Sequence, residues 1–129
     1  PALLFTASHG MQFDPGDPAK QQAYQGALVC ADWQGPDEKR VLPEYYLSGD
    51  VLAAHGGANL LGTIAFLFAC YGAGTPKIDD YYRPAYMDKG DVIAEQPFVA
   101  ALPKVMLSLA QGGALAVIGH IERVWSLWA

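Results

Sequence analysis

The stretch GTIAFLFACYGAGT, residues 62–75, decides how the chain folds. Ile64 to Phe68 is an uninterrupted apolar run between glycines. Its length is typical of a strand that is buried on both faces, as in a parallel sheet, rather than of a helix. The run ends at Cys70 and passes at once into a loop of small residues. We therefore predict a buried strand over 62–69 with a thiol at its carboxyl end.

A second apolar run, ALLFTASHG at residues 2–10, has the same pattern and ends on His9 and Gly10. It predicts a strand over 2–8. In an open α/β sheet, ligands and chemistry lie beyond the carboxyl ends of the strands. We therefore expect His9 and Cys70 at the carboxyl ends of adjacent parallel strands, where their side chains can face each other.

A thiol and an imidazole in this arrangement indicate nucleophilic catalysis. The thiolate is the reactive form of cysteine, and His9 could take the proton of Cys70 and return it to a leaving amine. Because Gly10 has no side chain, a carbonyl could closely approach its N–H. The backbone N–H groups of Gly10 and Cys70 are the candidate oxyanion hole.

Taken singly, each residue has a simpler interpretation. A cysteine at a strand end is most often a small core residue, and a histidine before a glycine is most often part of a loop. The hypothesis depends on the pair, since both residues follow an apolar strand and both are followed closely by glycine.

The two motifs together resemble those of the caspase-like cysteine peptidases of clan CD. In this resemblance, SHG follows one hydrophobic strand, and AC with a small-residue loop follows another. His9 and Cys70 are 61 positions apart, near the separation of about 50 residues in caspases. The caspase signature around the nucleophile is absent, since residues 68–72 read FACYG. The loop and the later strand GALAVIGH, residues 113–120, are more similar to bacterial CHAT and gingipain-like members.

The resemblance implies an α/β fold, a three-layer sandwich with a mainly parallel central sheet. It implies one caspase-like or CHAT-like domain over residues 1–129, without the upstream strands of the full domain. A larger polypeptide with other domains is then expected, together with a bare sheet edge beside the strand that carries His9.

Composition narrows the class of protein. The 129 residues suit one domain, and 52% of them are hydrophobic, enough for a sizeable core. The net charge of −5 and the isoelectric point near 4.9 argue against nucleic acid as a partner. No apolar run reaches the length of a membrane span, so no membrane partner is expected. Two cysteines, one of them at the reactive position, favour a reducing, cytoplasmic location.

Other segments are predicted from turn residues and periodicity. Pro103 should kink or split the third helical segment. Cys30 should lie away from the glycine-rich turn. The predicted elements are a loop over 11–25, a strand over 26–32 with a hairpin partner at 41–42, a helix over 49–55, an irregular segment over 77–94, a helix over 95–111 and a strand over 114–118.

Four further residues are candidates for substrate binding. Asp79 and Asp80 lie in the irregular segment that could border a cleft. His120 and Glu122 follow the last strand, where clan members wall the specificity pocket. Glu122 could pair with a basic substrate side chain, or it could simply pair with Arg123.

The sequence thus predicts a cysteine endopeptidase with a His9–Cys70 dyad, acting on a peptide or protein without cofactor or metal. One alternative is a catalytically inactive caspase-like module for partner binding or regulation. A second alternative is a metal site built from His9, Cys70 and His120, although these residues have no recognisable ligand spacing.

Overall fold

The chain folds as an α/β domain, in a computed structural model that describes residues 1–33, 35, 43–79 and 90–124. A three-stranded parallel sheet is its centre. In chain order the elements are β1 (Ala2–Ala7), α1 (Pro18–Tyr24), β2 (Leu28–Val29), a 3₁₀ turn (Pro43–Tyr45), β3 (Tyr46–Leu47), α2 (Gly49–Ala54), β4 (Thr63–Phe68), β5 (Gly74–Thr75), β6 (Phe98–Val99), α3 (Ala101–Ser108) and β7 (Ala116–Gly119).

The sheet has the strand order β1-β4-β7. β1 pairs with β4 in parallel register from Ala2–Thr63 to Ala7–Phe68. β4 pairs in parallel with β7 on its other side. The prediction that the strands before His9 and Cys70 are parallel neighbours is confirmed. β1 forms one edge of the sheet as the structure describes it.

The hydrophobic core lies on one face of the sheet. Ala65 and Leu67 of β4 are fully buried, and they belong to one cluster with Leu102 and Met106 of α3. On the other face of the sheet the apolar side chains are accessible to solvent, and Phe5 is 60% exposed. Leu3, Ile64 and Ile118 are exposed there in the same way. The described helices therefore cover the sheet from one side.

The predicted helix over 95–111 is wrong at its start, because α3 begins only at Ala101. The preceding residues form β6, which pairs in antiparallel fashion with β5 of the glycine-rich loop. Pro103 consequently stands in the first turn of the helix, where a backbone N–H has no intrahelical acceptor, so it neither kinks nor splits the helix.

The loop predicted over 11–25 is also wrong, because it contains helix α1. Asp17 occupies the N-cap, its side chain accepts a hydrogen bond from the N–H of Lys20 at 3.0 Å, and Pro18 follows at the first helical position. These are standard helix-start signals. The sequence already contains these signals, as the dipeptide Asp17-Pro18.

The strand predicted over 26–32 shortens to β2, whose antiparallel partner is β3. The predicted partner, residues 41–42, lies outside the described residues. The helix predicted over 49–55 is confirmed as α2, with Ser48 at its N-cap position. No helix within the described residues is long and apolar enough to cross a membrane.

The N-cap of α1 gives a test of this local structure. Asp17→Ala should lower the free energy of unfolding by about 1 kcal/mol, because the N–H of Lys20 loses its acceptor. Asp17→Asn should be nearly neutral, since an amide oxygen caps equally well. Urea unfolding of both variants checks this, and equal losses in the two would contradict the capping role.

Candidate functional site

His9 and Cys70 each stand two residues beyond a pair of hydrogen-bonded strands. Ala7 of β1 pairs with Phe68 of β4, and the N–H of Ser8 continues the ladder by donating to the carbonyl of Phe68 at 3.1 Å. Both functional residues line one cleft with a volume of about 770 Å³. The structure thus brings the imidazole and the thiol into the same cleft at the carboxyl edge of the sheet.

Gly10 lets the two strand ends approach closely. A Cβ atom at position 10 would lie 1.8 Å from the carbonyl oxygen of Cys70, a distance that no side chain tolerates. Gly10 also bridges to Leu28, and the N–H of Val29 donates to the carbonyl of His9 at 2.9 Å. One glycine therefore fixes the backbone of both motifs and brings β2 alongside.

The candidate oxyanion hole is compatible with this backbone. In the part of the chain that the structure describes, neither the N–H of Gly10 nor that of Cys70 donates a hydrogen bond to another backbone group. Free N–H groups close to a thiol are the donors that an oxyanion requires.

The sulfur of Cys70 is half-buried and has a backbone neighbour. The N–H of Val124 donates to Sγ at 3.3 Å, and the carbonyl oxygen of Val124 lies 3.7 Å from Sγ. An N–H directed at sulfur stabilises negative charge on it, whereas a carbonyl oxygen can accept only from the protonated thiol. The segment after β7 therefore contacts the sulfur of Cys70 itself.

His9 is exposed and packs against an aromatic ring. The rings of His9 and Trp33 meet edge to face with centroids 6.2 Å apart. Within the described residues no side chain is hydrogen-bonded to the imidazole of His9. The imidazole thus has a ring contact with an indole, and no carboxylate or amide side chain within the described residues orients it as in a catalytic triad.

The position of Cys30 differs from the prediction. It was expected away from the glycine-rich turn, but it is exposed and lines the same cleft as His9 and Cys70. The reason is the contact between β2 and the segment after β1, which the sequence does not reveal. Both cysteines are free thiols.

The predicted substrate-binding residues have other partners. Asp79 forms an ion pair with Arg123. The side chain of Glu122 accepts from the backbone N–H of Arg123 at 3.0 Å, and Oε1 lies 4.0 Å from Nε of Arg123, which agrees with the alternative that Glu122 pairs with Arg123. Neither carboxylate lines the cleft. Asp80 lies outside the described residues.

His120 is held against the sheet. Its ring meets those of Phe66 and Phe68 edge to face, with centroids 6.3 and 5.3 Å away, and its Nε2 atom is buried without a hydrogen-bond partner in the described structure. The described residues contain no group of three side chains that could hold a metal ion. The geometry thus gives no support to the metal alternative built on His9, Cys70 and His120.

Tyr71 and Arg123 do not line the cleft, but each is adjacent in the chain to a residue that does, Cys70 or Val124. Burial alone would lower the pKa of Arg123, but the hydrogen bond and charge of Asp79 outweigh it and raise that pKa. Tyr71 has a positive φ of 57° and is 1% exposed. Its N–H donates to the carbonyl of Glu122 at 3.1 Å. Together these contacts attach the segment after β7 to the loop of Cys70.

Burial, reinforced by the charge of Glu122, raises the pKa of Tyr71 to about 12. No sequence signal marked Tyr71, and the sequence indicated Arg123 only as a partner of Glu122. The ion pair of Arg123 with Asp79 joins residues that are distant in the chain.

Comparison of the chain with known protein families, curated proteins and solved structures finds no match.

Gly10→Ala tests the close approach of the two motifs. The added methyl group must displace the backbone of Cys70, so the free energy of unfolding should fall by about 1–3 kcal/mol. Gly56→Ala is the control, because nothing lies within 4 Å of a Cβ at that position. Thermal unfolding of both variants gives the comparison, and an equally stable Gly10→Ala protein would rule out the contact.

The raised pKa of Tyr71 predicts that the free energy of unfolding falls at alkaline pH. Its hydroxyl ionises near pH 10 in the unfolded chain but only near pH 12 in the fold, so its contribution is complete below pH 10 and is lost as the pH rises to 12. Tyr71→Phe should remove this part of the loss. At pH 7 the variant should be nearly as stable as the parent, because the buried hydroxyl lacks a partner in the described structure.

Urea unfolding at pH 8 and pH 11 measures the difference for parent and Tyr71→Phe. The pKa of Tyr46 is also raised, but that residue is present in both proteins and cancels. Equal losses of stability between the two pH values would contradict the assignment to Tyr71.

Proposed function

We propose that the chain is a cysteine endopeptidase with Cys70 as nucleophile and His9 as general base and acid. One observation carries this proposal: His9 and Cys70 follow neighbouring parallel strands and line a single cleft. The glycine contact that aligns the two strand ends supports it further. A thiol and an imidazole that share a cleft have the composition of a dyad.

The chemistry follows from these groups. His9 takes the proton of the Cys70 thiol, and the thiolate attacks the carbonyl carbon of a peptide bond. The negative oxygen of the tetrahedral intermediate accepts hydrogen bonds from the N–H groups of Gly10 and Cys70. The C–N bond breaks as His9 gives its proton to the leaving amine. Water, deprotonated by His9, then hydrolyses the thioester, so the residues need no cofactor.

We further propose a caspase-like, three-layer fold of the bacterial CHAT or gingipain-like type, with other domains in a larger polypeptide. The parallel order of β1 and β4, with His9 and Cys70 at their ends, supports this. A cytoplasmic setting would keep both free cysteines reduced.

A second candidate is a catalytically inactive module of the same fold that binds a partner. The contact between Val124 and Sγ of Cys70 favours it, because this backbone occupies space beside the sulfur. The exposed apolar face of the sheet also suits a binding module.

Labelling with a peptidyl acyloxymethyl ketone, followed by peptide mapping, distinguishes the two candidates. This reagent needs an activated thiolate, whereas iodoacetamide also alkylates an ordinary exposed thiol. We expect rapid labelling at Cys70 and its abolition in Cys70→Ala. His9→Ala should slow labelling about 100-fold or more, and the double variant should lose no more than Cys70→Ala alone, because the residues act as one unit.

Cys30→Ala is the matched control, since it removes the other thiol of the same cleft. It should label at the parental rate. If the ketone reacts with Cys70 no faster than with Cys30, Cys70 is not an activated nucleophile and the binding module is the better description.

A further inference from the structure

The walls of the cleft around His9 and Cys70 are mostly apolar, with Ser8 among the lining residues. Val29 and Ala31 come from β2 and the turn after it, and Trp33 follows on the same side. Phe68 and Val124 lie with Cys70. A bound molecule would therefore contact mainly aliphatic and aromatic carbon. Among the lining residues that the structure describes, the titratable groups are the imidazole of His9 and the thiols of Cys30 and Cys70.

The acidic residues that the sequence suggested for a basic substrate and that the structure describes are engaged outside the cleft. The carboxylates of Asp79 and Glu122 both contact Arg123, and none of the three lines the cleft. A substrate lysine or aspartate in the cleft would give up its hydration without meeting an opposite charge among these wall residues, which is costly. An apolar side chain would gain free energy in the same place.

We infer that the cleft selects a large, uncharged apolar side chain on the substrate residue that supplies the scissile carbonyl. Leucine or phenylalanine would lie between the wall of Val29 and Trp33 and the wall of Phe68 and Val124. This inference rests on the proposed function for the position of the scissile bond, and it replaces the basic preference that the acidic residues of the sequence suggested.

The test measures binding, so that it does not depend on catalysis. The protein is the full chain with Cys70→Ala, and the probes are four fluorescent peptides that differ at one residue: leucine, phenylalanine, lysine or aspartate. Fluorescence anisotropy should show the leucine and phenylalanine peptides binding about tenfold or more tightly than the charged pair. Equal or tighter binding of the lysine or aspartate peptide, or no binding of any peptide, would overturn the inference.

Ala31 allows the preference to be changed. It is exposed and lines the cleft, so Ala31→Glu in the Cys70→Ala protein should fold normally. The new carboxylate should strengthen binding of the lysine peptide relative to the leucine peptide, by about fivefold or more at low salt. Ala31→Gln, of equal size but uncharged, should leave the ratio unchanged. A ratio that shifts equally in both variants, or in neither, would contradict the placement of the side chain in this cleft.

The two hypotheses fail separately. If the ketone does not label Cys70 but the apolar peptides bind more tightly, the peptidase hypothesis is wrong and the apolar preference of the cleft stands. If the ketone labels Cys70 rapidly but the lysine peptide binds most tightly, the peptidase hypothesis stands and the apolar preference is wrong.

Discussion

The contact between Gly10 and the backbone of Cys70 is the constraint on which the rest of the site depends. Two parallel strands end side by side, and only a residue without a side chain lets the chain after β1 lie against the carbonyl of Cys70. The same glycine bridges to Leu28, which places β2 beside His9. A larger residue at position 10 would separate the imidazole from the thiol and also move the wall that carries Trp33.

The predictable part of the fold was the part encoded locally. β1, β4 and β7 are short apolar runs bounded by glycine or small residues, and their length and flanking residues favour a buried strand over a helix. His9 and Cys70 could be placed together because the carboxyl ends of adjacent parallel strands share an edge. α1 was also encoded locally, by Asp17 and Pro18, although the segment was predicted as a loop.

The parts that could not be predicted depend on distant pairings. Residues 98–99 fit a helix by periodicity, but they pair with the glycine-rich loop and become β6. Arg123 and Asp79 are 44 positions apart, so their ion pair follows from the path of the chain rather than from a motif. Cys30 reaches the cleft only because β2 runs beside the segment after β1.

The segment after β7 joins the wall of the cleft to the sulfur of Cys70. Tyr71 and Asp79 hold it through Glu122 and Arg123, and its last described residue, Val124, contacts the sulfur of Cys70 and lines the apolar wall. A side chain that packs against Val124 therefore bears on the backbone that directs an N–H at Sγ. The N–H of Val124 donates to Sγ, while the neighbouring carbonyl can accept only from the protonated thiol, so the same short backbone offers a partner to either form of Cys70. The wall of the cleft and the contact with Sγ thus share one short piece of chain, and the ion pair of Arg123 limits how far it can move.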